Sequence, residues 1–269
     1  MASASDRSML HADTDALKLT VLGKSPAWQD TGGASSGYLL EAKTQKLLLD
    51  CGNGVLAELQ RQLPPAALDG VLISHLHADH FFDLIPLAYM LTFAPPPYGS
   101  PKQKIPLYVP PGAKTVFRTL GSLWSYPSVI EDAFEIHEYA LDSAFKIGSL
   151  DLQLATVPHF VTTSAISFTH ADRRLVFGAD CGPNQALVNL ASGADLLIAE
   201  ATMPDDQVGA DAGHMSARQA GEHATAADVF SLLITHYSEL FDPLWITERV
   251  AENYTGSTLL ATPQMALTV

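Results

Sequence analysis

The sequence predicts an α/β protein with sheets at its centre and helices outside. Three observations predict it. Short apolar runs of strand length alternate with helix-like stretches along most of the chain, and helices packed over sheets are the layer solution for that order. Hydrophobic residues make up 47% of the 269 and charged residues 16%, the balance of a compact globule with a large core. No apolar run reaches the length of a bilayer span.

The polar start, residues 1–16, reads as a flexible tail without the apolar stretch of a secretory signal. Residues 17–269 read as a single domain. Strands are predicted at Leu17–Leu22, Gly37–Ala42 and Lys46–Asp50, the last running into Asp50-Cys51-Gly52. A helix over Val55–Gln62 is stopped by Pro64-Pro65. Val71–Ser74 is a buried strand, and His80–Phe93 has helical periodicity up to Pro95-Pro96-Pro97. Ala94–Pro106 is the longest loop, suited to a lid or an oligomer contact. Leu107–Val109 is a strand, and Ala113–Leu123 a helix opened by Pro110-Pro111-Gly112. Phe134–Tyr139, Ala144–Ile147 and Leu150–Val157 are strands of alternating or β-branched character. Ala165–Thr169 and Arg174–Phe177 form a hairpin around Ala171-Asp172. Leu196–Ala199 and Leu232–Thr235 are short apolar strands; Gln185–Leu190, Ser216–Ala226 and Pro243–Glu252 are helices.

The formal net charge is -14, from 15 Lys plus Arg against 29 Asp plus Glu. Proteins that grip long nucleic acids present basic surface, so a small-molecule substrate is expected, with no long nucleic acid and no membrane as partner. Cys51 and Cys181 are too few for a disulfide framework. They are expected to be buried, and a cytoplasmic location is the default.

The chemistry concentrates in Ser74-His75-Leu76-His77-Ala78-Asp79-His80. Residues two apart on extended backbone point the same way, so His75 and His77 can face one point. If the chain then turns helical, Asp79 and His80 can face a second. Imidazole and carboxylate donors at short spacing suit zinc or a similar transition metal, and the cluster suggests two ions. His159, Asp180 and His236 each stand just past a short apolar strand, where α/β scaffolds place their sites, and complete the candidate ligand set.

The order H-x-H-x-D-H, then a His, an Asp and a strand-end His resembles the metallo-β-lactamase superfamily, from Leu17 to about Leu260. Gly33–Leu40, Leu49-Asp50-Cys51-Gly52, Ala199-Glu200-Ala201-Thr202 and Gly213-His214-Met215-Ser216-Ala217 resemble its ribonuclease Z-like branch. The resemblance implies an αββα four-layer sandwich of two similar halves, with a dinuclear metal centre at one edge. It implies that His75, His77 and His159 bind one divalent ion, that Asp79, His80 and His236 bind the other, and that Asp180 bridges them; zinc, manganese and iron are the candidates. A hydroxide held between such ions would be the nucleophile. His214 would be the general acid and Glu200 its orienting partner, so that His214, Glu200 and Asp79 are the catalytic candidates. Asp50 would orient a ligand histidine.

The sequence departs from the tRNA-processing members. No basic, glycine-rich arm is found, and the basic residues between His80 and His159 are scattered. The segment after Gly23, Lys24-Ser25-Pro26-Ala27-Trp28-Gln29-Asp30, replaces a glycine-rich loop; Trp28 is expected to pack on the core. The reading is a metal-dependent hydrolase, a phosphodiesterase on a small substrate such as a cyclic nucleotide. A lactone, thioester or carboxylic ester hydrolase at the same site is the alternative, followed by tRNA 3′ processing. Members of the branch often dimerise, and a homodimer is compatible with the sequence.

Overall fold

The computed structural model describes residues 16–99, 103–209 and 211–269. The expected tail therefore lies outside the described residues, apart from Ala16.

The described residues build two seven-stranded mixed sheets. The first contains β1 (Leu17–Gly23), β2 (Gly37–Ala42), β3 (Gln45–Leu49), β4 (Gly70–Leu72), β5 (Ile105–Val109), β6 (Phe134–Glu138) and the late strand β14 (Ala266–Thr268). Its order is β14-β1-β2-β3-β4-β5-β6. The second contains β7 (Ala144–Ile147), β8 (Leu150–Val157), β9 (Thr163–His170), β10 (Arg173–Phe177), β11 (Leu196–Glu200), β12 (Ser231–Thr235) and β13 (Ser257–Leu260), ordered β13-β12-β11-β10-β9-β8-β7. Helices α1 (Val55–Leu59), α2 (Ala78–Phe81), α3 (Leu84–Phe93), α4 (Ala113–Ser122) and α5 (Val129–Ala133) belong to the first half. Helices α6 (Gln185–Ala191), α7 (Ala217–Ala226) and α8 (Pro243–Ala251) belong to the second.

Strand side chains alternate between two buried faces. In β3, Leu47 and Leu49 join the core between the sheets, while Leu48 joins the core under α1, α3 and α4. In β12, Leu233 faces the other sheet, while Leu232 and Ile234 pack with α7 and α8. Strands covered on both faces read as unbroken apolar runs rather than as amphipathic alternation. The result is the four-layer αββα sandwich expected of the sequence.

The helix expected over His80–Phe93 is two helices. Asp83 ends the first, because its N–H bonds Cys51 O at 3.0 Å and its carboxylate accepts from Leu56 N at 2.9 Å. Pro86 in the next turn has no N–H to bond back across the break. The helix expected over Val55–Gln62 is α-helical only to Leu59 and finishes in turns. Pro106 belongs to β5 rather than to the loop before it. Trp28 does not pack on the core; it is 54% exposed. Cys51 and Cys181 are buried free thiols, as expected. None of the described helices is long and apolar enough to cross a membrane.

Candidate metal centre

The strand ends supply the site. His75 and His77 follow β4, His159 follows β8, Asp180 follows β10 and His236 follows β12. Asp79 and His80 lie on α2, which begins directly after extended His77. The turn after β3 presses against this short helix: a Cβ on Gly52 would come 1.8 Å from Asp79 O, so no side chain fits there. Cys51 N–H bonds His80 O at 2.7 Å across the same contact.

All seven sequence-predicted ligand residues come together. His75, His77, His159 and Asp180 form one group, and Asp79, His80, Asp180 and His236 a second, with donor atoms inside each group within 4.8 Å of one another. Asp180 belongs to both. Its Oδ2 lies 3.3 Å from His80 Nε2 and 3.3 Å from His236 Nε2. The same oxygen is 3.9 Å from His75 Nε2 and 4.0 Å from His159 Nε2. Asp79 Oδ2 lies 3.2 Å from His236 Nε2 and 3.5 Å from His80 Nε2.

Hydrogen bonds on the outer side of the imidazoles fix which nitrogen looks inward. Asp50 Oδ2 can only accept, so His80 donates through Nδ1 at 2.7 Å. His159 Nδ1 donates to Gly213 O at 2.6 Å. Ser74 donates its hydroxyl to Asp50 Oδ2 at 2.9 Å and accepts from His75 Nδ1 at 3.0 Å. Thr202 repeats the device: its hydroxyl donates to Glu200 Oε2 at 2.5 Å and accepts from His236 Nδ1 at 2.7 Å. Each of these four rings turns Nε2 toward the cluster, the outer-shell pattern of metal-bound histidine. His77 instead directs Nδ1 toward its partner, 2.9 Å from His159 Nε2.

The donor set fits divalent cations. His75 Nε2 and His80 Nε2 are buried without a hydrogen-bond partner, facing the Asp180 carboxylate at 3.9 and 3.3 Å, and buried polar atoms are normally bonded. Burial pushes His75 well below the ordinary imidazole range and His159 to about 4, leaving neutral rings with free lone pairs. Burial opposes charge on Asp180 too, but His236 and His80 outweigh it and hold the carboxyl well below its usual range. Burial opposes protonation of His80, yet Asp180 and Asp50 raise it well above the ordinary range; the pull that would hold a proton there would equally hold a metal cation. Asp50, Ala179 and His236 all adopt left-handed backbone, at φ 56°, 53° and 50°. Such conformations cost about 1–3 kcal/mol each and collect at functional sites.

His214 and Glu200 adjoin the cluster. His214 Nδ1 donates to both Glu200 oxygens at 3.0 Å. Its ring centroid is 4.9 Å from that of His159 and 5.8 Å from that of His236. Burial works against its protonation, but Glu200 outweighs this and raises His214 above the ordinary range. His214 does not cap α7; Ser216 does, in a capping box with Gln219.

A family model for the Beta-lactamase superfamily domain matches residues 45–237. The chain belongs to the β-lactamase superfamily. Within that superfamily it is 30% identical to the probable metallo-hydrolase YhfI of Bacillus subtilis, over 82% of this chain and 86% of that protein. It is 28% identical to ribonuclease Z of Myxococcus xanthus, over 89% of this chain and 94% of that one. The crystal structure of YhfI superposes with a TM-score of 0.84 at 27% identity, covering 95% of this chain and 100% of that one. Human tRNase Z, short form, shares the fold at a TM-score of 0.74 and 24% identity, over 93% and 98% of the two chains. This β-lactamase superfamily member carries His/Asp clusters that could hold metal ions.

Three supports escaped sequence reasoning. Thr202 stands inside the Glu200-Ala201-Thr202 signature, but its link to His236 depends on chain 34 residues further on. Tyr139 donates to Ile73 O at 2.9 Å and braces the backbone leading to His75. Lys24, 2% exposed, pairs with Asp30 Oδ2 at 2.5 Å and donates to Tyr237 O at 3.2 Å. Asp30 Oδ1 accepts from Ser238 Oγ at 3.2 Å and Glu239 N at 3.0 Å. Lys24 and Asp30 therefore clamp the residues after His236.

Proposed function

We propose that this chain is a dinuclear metal-dependent phosphodiesterase acting on a small substrate such as a cyclic nucleotide. His75, His77 and His159 would hold one ion and Asp79, His80 and His236 the other, with Asp180 shared. The nitrogen-rich donor set favours zinc, with manganese and iron as the other candidates. Bound ions would supply Lewis acidity and a water acidic enough to serve as nucleophile near neutral pH.

The chain's own residues do the rest. Asp50, Ser74, Thr202 and the Gly213 carbonyl hold the imidazoles in one tautomer and orientation. Glu200 holds a proton on His214 Nδ1 and stabilises the imidazolium, so that Nε2 can deliver a proton to a departing oxygen. Glu200 Oε1 also accepts from Cys181 N at 2.7 Å, which ties the proton donor to the residue after Asp180.

The observation that carries this reading is the His214–Glu200 pair beside the cluster. An alkoxide leaving a phosphodiester needs a proton, whereas a thioester or activated ester does not. The net charge of -14 supports a small substrate over a long nucleic acid, and two buried free thiols accord with a cytoplasmic setting. A substrate panel on zinc- and manganese-loaded protein tests the proposal. Cyclic nucleotides and bis-(p-nitrophenyl) phosphate should be turned over faster than lactones and thioesters; the reverse order would make the chain an ester hydrolase.

A further inference from the structure

Phe160 is an aromatic side chain beside the site that the mechanism leaves unused. It follows His159 directly and is 64% exposed. Its ring centroid lies 5.2 Å from that of His159 and 5.8 Å from that of His214. The ring lies against Gly213: a Cβ there would come 2.5 Å from the Phe160 ring as it stands. The same glycine accepts the His159 Nδ1 hydrogen at 2.6 Å. One backbone residue thus bonds a candidate ligand and touches the aromatic ring next to it. Scattered exposed apolar residues are ordinary. This one lies between a candidate metal ligand and the candidate proton donor.

Its side of the site matters. A proton donor stands where the leaving group departs, so a ring packed against His214 borders the leaving-group half of the substrate. We propose that Phe160 is a specificity-determining residue that stacks against a planar nucleobase on the leaving-group side of the phosphodiester. The inference rests on the phosphodiesterase reading and narrows it to nucleotide substrates. An exposed aromatic face accepts any base, because every base has a π-face to offer it. Shape and stacking at one ring, rather than hydrogen-bonded readout, then favour nucleotides over base-free diesters.

Two diesters separate the ideas: 3′,5′-cyclic AMP and a base-free cyclic phosphodiester of the same ring size. Phe160→Ala should raise KM for cyclic AMP about tenfold with little change in kcat. Turnover of the base-free diester should stay unchanged, and Phe160→Trp should restore the cyclic AMP value. Calorimetry gives a readout apart from turnover: binding of AMP to the metal-loaded protein should weaken about tenfold in Phe160→Ala, and binding of inorganic phosphate should not. Equal effects on both diesters, or none on either, would overturn the stacking role while leaving the phosphodiesterase reading intact. A wild-type protein that hydrolyses neither diester would remove both.

Discussion

Asp50 Oδ2 lies 2.7 Å from His80 Nδ1, and both side chains are fully buried. The same carboxylate accepts the Ser74 hydroxyl at 2.9 Å and, through Oδ1, Ser74 N at 2.8 Å. Ser74 in turn accepts from His75 Nδ1. One buried aspartate therefore orients a candidate ligand in each half of the metal centre. Asp50→Asn keeps the shape and removes the charge. It should weaken metal affinity about 10–100-fold, the usual effect of losing an outer partner of a ligand histidine. Calorimetric metal titration of folded Asp50→Asn protein checks this, and unaltered affinity would mean that Asp50 is only a turn residue.

His214→Ala should lower kcat for an alkyl phosphodiester by about 10²–10⁴-fold, the range for a lost general acid. With p-nitrophenolate as leaving group the loss should be far smaller, because that oxygen departs without a proton. Steady-state kinetics on the two substrate types measure the difference. Equal losses would assign His214 to holding the site together instead.

Removing metal should destabilise the fold as well as abolish activity. Without cations, His75 Nε2 and His80 Nε2 stay buried without a hydrogen-bond partner, 3.9 and 3.3 Å from Asp180 Oδ2. A ligand present at about 1,000 times its Kd contributes about 4 kcal/mol, and a chain of this size shifts by about 2–4 °C per kcal/mol. Chelation should therefore lower Tm by about 10 °C, and restored zinc should reverse the shift. Calorimetric scans with and without chelator give the answer; coincident scans would mean that the cluster does not bind metal.

The Lys24–Asp30 pair should matter for stability. Both side chains are nearly inaccessible, at 3% and 5% exposure, and removing one partner of a buried pair costs about 3–5 kcal/mol. Lys24→Met should fall in that range by urea unfolding. Burial raises the Asp30 carboxyl, but Lys24 outweighs it and the net shift is downward. A carboxyl depressed in the folded state stabilises above its unfolded value, about pH 4, and that contribution is lost as pH falls through the folded value. In chelator, the stability difference between wild type and Asp30→Asn should be constant above about pH 4 and shrink below it. A difference that grows on acidification would contradict the pairing.

Much of the site was legible because its chemistry is local. His75, His77, Asp79 and His80 sit within six consecutive residues, and His159, Asp180 and His236 each follow a strand that the apolar pattern reveals. Long-range supports were not legible. Nothing near Lys24 announces Tyr237, and nothing near Thr202 announces His236. The break before α3 was hidden because periodicity continues through Phe82 and Asp83, while the bonds that interrupt it come from Cys51 and Leu56. The edge strands β13 and β14 were missed for the opposite reason: Ser257–Leu260 and Ala266–Thr268 are short and only partly buried, so their apolar signal is weak. Trp28 was expected inside because aromatic burial is the general rule, yet it lies on the surface of the segment whose Lys24 and Asp30 turn inward.

The most direct measurement counts metal ions per chain by elemental analysis in wild type, Asp180→Ala and His159→Ala, each confirmed as folded. Two ions in wild type, near-complete loss of both in Asp180→Ala, and loss mainly of one in His159→Ala are the values a shared carboxylate requires. A full pair of ions retained by Asp180→Ala would contradict it.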